Sequence, residues 1–214
     1  AAEQALAGLT ALLNTSHDGQ FIVAGVNGSN SPVAEYKSSP PSAAKQAVDA
    51  AFLAQFGFSQ NSPLAASITA AQMDSFIDGV LTGEFAPANW SANWSTASDQ
   101  NRVARVDQNQ TVAIPVNANL QPMRDLVMAL TAALDLGTGN LSQGTFQALV
   151  DKSAALAGPA SGGLGDVQAL IGNVQHEASS ATERIASRNN ILNREINALE
   201  SVDPYEAATR VNTL

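Results

Sequence analysis

The 214-residue sequence contains no cysteine. This excludes a disulfide framework, a thiolate nucleophile, a zinc–thiolate site and an iron–sulfur cluster. Charged residues make up 14% of the chain, and ten Lys and Arg against nineteen Asp and Glu give a net charge of −9. Because phosphates are bound by clustered basic side chains, we expect no nucleic-acid partner and no anionic-membrane partner. No apolar run reaches the roughly 18 residues that a membrane span needs, so we expect no membrane insertion.

Small apolar residues dominate what is present. Hydrophobic residues make up 45% of the chain, but only 5% is aromatic and 39 residues are alanine. Such a composition favours helices that pack closely over a core of bulky rings. The length suffices for one ordinary domain or two small ones.

Apolar residues recur at helical spacing along most of the chain. The pattern predicts a first helix over residues 1–13, a second over 43–56 that ends at Gly57, and a third that starts at a capping box formed by Thr69 and Gln72. It predicts further helices over residues 122–137 and 146–156, a loop at the sequence GPASGG (158–163), and a helix of about 36 residues from Leu164 to Leu199.

Two segments alternate in the way that strands do. Residues 20–26 are predicted to form a hairpin with residues 33–36, and residues 102–106 are predicted to pair with residues 111–116. Trp90 and Trp94 lie between them in a Ser- and Asn-rich stretch that we expect to be irregular. The two tryptophans are interpreted as core anchors, with a sugar-binding platform as the alternative.

No motif for catalysis or for a cofactor is present. The two histidines, His17 and His176, are predicted to lie at the surface, and they form no metal-binding pair with the spacing of known sites. The glycine-rich segments lack the spacing and the lysine of phosphate-binding loops, so we interpret them as plain loops. We therefore identify no catalytic, cofactor-binding or metal-binding residue and expect no enzyme.

The long helix carries a regular apolar seam that Arg188 interrupts. Arg188 and Arg194 could pair with a neighbouring subunit, although a solvated face is an equal alternative. After the seam, Asp203, Pro204 and Glu206 have the spacing of an N-cap, a first helical turn and a capping-box acid. We therefore expect the helix to kink or restart at Pro204.

Both ends of the sequence resemble one family. LTALLNTSHDGQFIVAGVNG (residues 9–28) resembles the end of a long helix and the following hairpin in bacterial flagellins, and ILNREINALESVDPYEAATRVNTL (191–214) resembles the C-terminal helix of the same family. The positions that match the family motifs include Asn14, Phe21, Gly25, Glu200 and Asp203. The middle block SITAAQMDSFIDGVLTGEF (67–85) and the WSANWS segment are more similar to the alphaproteobacterial hook-associated branch than to filament flagellin.

The resemblance implies a mainly α fold with small β-hairpins: an elongated, discontinuous helical bundle with an inserted α+β domain. The bundle would comprise residues 1–35 and 118–214, and the insert residues 36–117. The family's terminal inner-tube segments would lie beyond both ends.

The resemblance also implies a non-enzymatic structural subunit, exported by the flagellar secretion apparatus to an extracellular location. Its partners would be copies of itself in a ring, another hook-associated protein, flagellin and an export chaperone, with no cofactor. Asn14 and Gly25 could serve turn and hairpin geometry instead of partner contact. Filament flagellin and a secreted binding module or adhesin are the alternatives.

Overall fold

The computed structural model describes residues 1–107, 110–201, 205, 208 and 209. The described chain is mainly α-helical with two small antiparallel strand pairs, which confirms the predicted fold class. The α-helices are α1 (Ala2–Leu13), α2 (Ala43–Phe56), α3 (Ala70–Phe76), α4 (Thr82–Glu84), α5 (Pro87–Asn93), α6 (Gln121–Asp135) and α7 (Gln143–Glu200). A 3₁₀ helix spans Pro63–Ser67 and a π-helical turn spans Ile77–Leu81.

The first hairpin does not use the predicted strands. β1 (Ser16–His17) pairs with β2 (Gln20–Phe21), so the partner lies upstream of residue 20 and not at residues 33–36. Asp18 and Gly19 both have positive φ, 50° and 74°, which is the backbone of a two-residue hairpin turn. The Asp-Gly dipeptide therefore closes the hairpin more tightly than expected. Val33 instead forms an isolated bridge with Ser95.

The second predicted hairpin is confirmed, with a shorter second strand. β3 (Val103–Asp107) pairs with β4 (Gln110–Ala113) in antiparallel register, and Asp107 lies opposite Gln110. Residues 114–116, which were predicted to continue the strand, lie outside it.

Local capping signals place two helix ends where the sequence predicted them. Gly57 ends α2 in the left-handed conformation, and Thr69 and Gln72 form both bonds of the capping box before α3. The π-helical turn that follows α3 widens the helix by one residue per turn. As a result Leu81 is fully buried and Val80, which was predicted to be buried, is 37% exposed.

The predicted loop at residues 158–163 is wrong, because α7 is one helix of 58 residues that contains Pro159. A tertiary contact accounts for this. Ala160 is buried, and a side chain at Gly163 would lie 2.6 Å from Cγ of Pro122, so α6 and α7 approach closely there. Packing of this kind offsets the low helix propensity of glycine and the backbone hydrogen bond that proline removes.

Contacts divide the chain into two compact units. The first unit comprises Ala1–Arg102 and Ile114–Ile171, and the second comprises the described residues of Val103–Ala113 and Gly172–Leu214. Boundaries at residues 36 and 117 stay a prediction, since the compact units do not follow them. The main hydrophobic core lies in the first unit and includes Leu6, Phe52, Phe76, Trp90 and Leu149.

Candidate assembly surface

A stripe of uncovered aliphatic side chains runs along the last turns of α7. Ile185, Leu192, Ile196 and Leu199 are 39%, 53%, 48% and 87% exposed. Their separations of seven, four and three residues place them on one face of the helix. We call these four residues the apolar stripe. Every residue from 182 to 200 is exposed, so the rest of the described chain buries no side chain in this part of α7.

An uncovered helix of this kind is suited to association. Complete burial of one Leu or Ile side chain contributes roughly 1.5–3 kcal/mol, so four of them supply enough to dock a second helix. An isolated helix of about this length is only marginally stable in water, and amphipathic helices gain most of their stability from packing. The apolar stripe is therefore the candidate functional site.

A polar ladder joins α7 to the β3–β4 hairpin beside the stripe. The Gln110 amide Nε2 donates to Glu177 Oε1 at 2.6 Å, and Arg184 Nη2 donates to Gln110 Oε1 at 2.5 Å. Arg188 Nη1 lies 3.1 Å from Asp107 Oδ1. These side chains lie one or two helical turns apart on α7, so the hairpin covers a single face of the helix. The interpretation of Arg188 as a solvated side chain is incomplete, because it pairs within its own chain.

The remaining predicted residues of this region differ in what the structure shows. Arg194 is exposed, and its Nε donates to the carbonyl of Asn190 at 3.3 Å within α7. Glu200 is exposed at the last position of the helix. Asp203 and Pro204 lie outside the described residues, so the expected kink stays a prediction.

Asn14 joins the end of α1 to a distant loop. Its Nδ2 donates to the Val33 carbonyl at 2.8 Å, and the Val33 amide donates to Asn14 Oδ1 at 3.0 Å. Paired bonds of this type fix the backbone of residue 33 against the helix end. Phe21 is half-buried, and its amide donates to the Gly28 carbonyl. The contacts of both residues lie inside the first unit, as the turn-geometry interpretation expected.

Gly25 occupies a position that no other residue fits. Its φ is +59°, and an added Cβ would lie 2.4 Å from the carbonyl oxygen of Ser98 and 2.7 Å from that of Gln100. The backbone of residues 98–100 therefore passes directly over Gly25. This close approach explains the glycine without any contact to a partner.

A polar cluster that sequence reasoning missed lies between α2, α6 and the segment before α2. Tyr36 Oη donates to Asp135 Oδ2 at 2.5 Å, Lys45 Nζ lies 3.1 Å from Asp135 Oδ2, and Lys45 also pairs with Asp49. Burial, reinforced by the charge of Asp135, raises the pKa of Tyr36 above its usual value. Burial alone would lower the pKa of Lys45, but its hydrogen bonds to Asp49 and Asp135 outweigh burial and raise it.

The direction of these two shifts fixes a dependence of stability on pH. Both pKa values are raised in the folded chain, so the stability that Tyr36 and Lys45 contribute is fully present below their unfolded pKa values of about 10. Above that pH the unfolded chain binds fewer protons than the folded chain, and stability falls as the pH rises.

Two further buried polar groups hold the loops of the first unit. Arg124 is 6% exposed, and its guanidinium donates to the carbonyls of Asn119 and Phe85 at 3.1 and 2.7 Å and to the Gln121 side chain. Asn119 in turn accepts from Trp90 Nε1 at 2.9 Å. Because each bond joins residues that are distant in sequence or in a loop, periodicity gave no signal for them.

The tryptophan pair is part of this core. Trp90 and Trp94 are 0% and 2% exposed, and their ring planes are stacked with centroids 5.5 Å apart. The interpretation as core anchors is confirmed, and the sugar-binding platform is wrong because neither ring is accessible. The expected irregular backbone is also wrong, since Trp90 lies in α5.

Other candidate chemistry is sparse in the described residues. His17 has a side chain 83% exposed beside Asp18, and His176 is exposed on α7, so both surface predictions are confirmed. Within residues 1–107 and 110–201, no three His, Asp or Glu side chains cluster in a way that could hold a metal ion. No helix in that part of the chain has both the length and the hydropathy to cross a bilayer.

Residues 155–214 match the family described as the bacterial flagellin C-terminal helical region. The match contains the whole apolar stripe and supports a place for the chain in the flagellin family. No curated protein matches the chain, and no solved structure does.

Proposed function

We propose that the chain is a structural subunit of the bacterial flagellum that joins the hook to the filament. The observation that carries the proposal is the coincidence of the apolar stripe with the matched region: the residues that resemble a polymer-forming family also carry an uncovered aliphatic face. A subunit that acts by packing needs such a face and needs no reactive group. The family match points in the same direction, to a structural and non-enzymatic protein.

The position within the flagellum rests on the sequence of the insert. Residues 67–85 and the segment around Trp90 and Trp94 resemble the hook-associated branch more than filament flagellin. In this role the subunit forms a ring with copies of itself, contacts another hook-associated protein on one side and flagellin on the other, and is exported with the help of a chaperone. Residues 36–117 form the inserted outer domain in this arrangement.

Deletion of the gene tests the proposal. Cells that keep hooks but shed filaments or never grow them support a junction role, whereas hooks that carry normal filaments contradict it. Immunogold labelling of the subunit on intact flagella separates the junction from the filament. Label confined to the boundary between hook and filament supports the proposal, and label along the filament identifies a flagellin.

A further inference from the structure

The second unit has almost no hydrophobic core of its own. Among its described residues only Val112 and Ala181 are buried, at 6% and 1% exposure. The outer strand β3 is exposed over its first three residues. Two-stranded hairpins are at best marginally stable alone, so β3 and β4 depend on their contact with α7.

The polar ladder locates that contact. Gln110 bonds Glu177 and Arg184, which flank Ala181 on the same face of α7. Gln110 and Val112 point to the same side of β4, because alternate residues of a strand share a face. Val112 therefore turns toward the helix face on which Ala181 is buried.

We propose that the β3–β4 hairpin is a strap that closes over Ala181 and opens as a unit while the first unit stays folded. Few apolar contacts hold it, and the Arg188–Asp107 pair that closes its end is 61% exposed on the arginine side. Local opening is expected where apolar contacts are few and hydrogen bonds are exposed.

Opening of the strap changes the surface of α7. Val174, Ala178 and Ala181 precede Ile185 at successive separations of four, three and four residues, so they continue the apolar stripe toward the start of the helix. Ala181 is covered when the strap is closed. An open strap therefore lengthens the uncovered stripe, and a closed strap keeps it short.

Thiol labelling tests the strap directly, because the chain has no cysteine. Ala181→Cys in the full chain is expected to react with an aromatic disulfide reagent at least about tenfold more slowly than Ala186→Cys, which lies on the exposed surface of the same helix. Adding Gln110→Ala is expected to accelerate labelling of the Ala181→Cys variant about three- to tenfold and to leave labelling of Ala186→Cys unchanged. Equal rates for the two thiols, or no effect of Gln110→Ala, would overturn the proposal.

Hydrogen exchange separates local opening from unfolding of the whole chain. Arg188→Ala and about 1 M salt are each expected to increase exchange in residues 103–107 and 110–113 about three- to tenfold, with α6 unchanged. Arg188→Lys keeps the charge and is expected to restore most of the protection. Arg194→Ala is the matched control, since Arg194 is exposed on the same helix and donates to a carbonyl within that helix. A parallel increase in α6, or the same effect from Arg194→Ala, contradicts a separate strap.

Discussion

Two adjacent glycines in α7 provide a sharp test of how this helix passes through residues 158–165. Gly162 is exposed and an added Cβ would meet nothing within 4 Å, whereas at Gly163 it would meet Pro122 at 2.6 Å. Alanine is favoured over glycine inside a helix by about 0.8–1.0 kcal/mol. Gly162→Ala is therefore expected to stabilise the first unit by about 1 kcal/mol.

The same propensity gain applies to Gly163→Ala, but the clash opposes it. The contact atom belongs to a rigid proline ring, and overpacking of this kind costs about 1–3 kcal/mol. The net change is expected to range from about zero to a loss of 2 kcal/mol. The two variants thus differ by about 1–3 kcal/mol although they make the same chemical change.

Tryptophan fluorescence during urea unfolding measures both variants. Trp90 and Trp94 and both glycines belong to the first unit, so the signal reports the unit that the substitutions affect. For a chain of this size, 1 kcal/mol corresponds to a shift of about 2–4 °C in Tm. Equal stabilisation by both variants would refute the close packing of Gly163 on Pro122. Destabilisation by Gly162→Ala would refute a continuous helix at this position.

Three other outcomes follow from the contacts. Gly25→Ala is expected to destabilise the first unit by about 2–5 kcal/mol, because left-handed strain adds to a backbone clash, whereas Gly19→Ala, with open space around it, costs only about 1–2 kcal/mol; urea unfolding compares the two. Tyr36→Phe is expected to weaken the loss of stability above about pH 10, measured by urea midpoints across that range, and an unchanged pH profile contradicts a role for Tyr36. Leu192→Ser is expected to prevent incorporation into flagella without changing the unfolding of the first unit, and Leu53→Ser, similarly exposed on α2, serves as its control.

Local signals predicted those parts of the fold that depend on neighbours in the sequence. The capping box at Thr69 and the left-handed Gly57 need only residues within one turn, and both were placed correctly. The Asp18-Gly19 turn carried an equally local signal, but a longer strand pair was favoured over it. The error was in the choice of partner strand, because Asp-Gly is among the strongest short hairpin signals.

Tertiary contacts decided the parts that could not be predicted. Glycine and proline at residues 158–163 indicate a loop when considered alone, and only the approach of Pro122 to Gly163 accounts for a helix. The polar cluster has the same origin, because Tyr36 and Asp135 are 99 residues apart and meet only in the fold. Nothing in the pattern around either residue indicates the other.

The candidate site lies between these two cases, and Arg188 shows why. Periodicity identified the seam and its interruption at Arg188, but it could not say which part of the seam is covered. In the structure Arg188 bonds Asp107, 81 residues away, at the end of the hairpin. The charge thus gives the hairpin an anchor at the point where the covered face ends, and the stripe from Leu192 onward is uncovered. Replacing Arg188 by leucine would make the apolar pattern more regular, yet it would remove the anchor that limits how much of α7 is exposed.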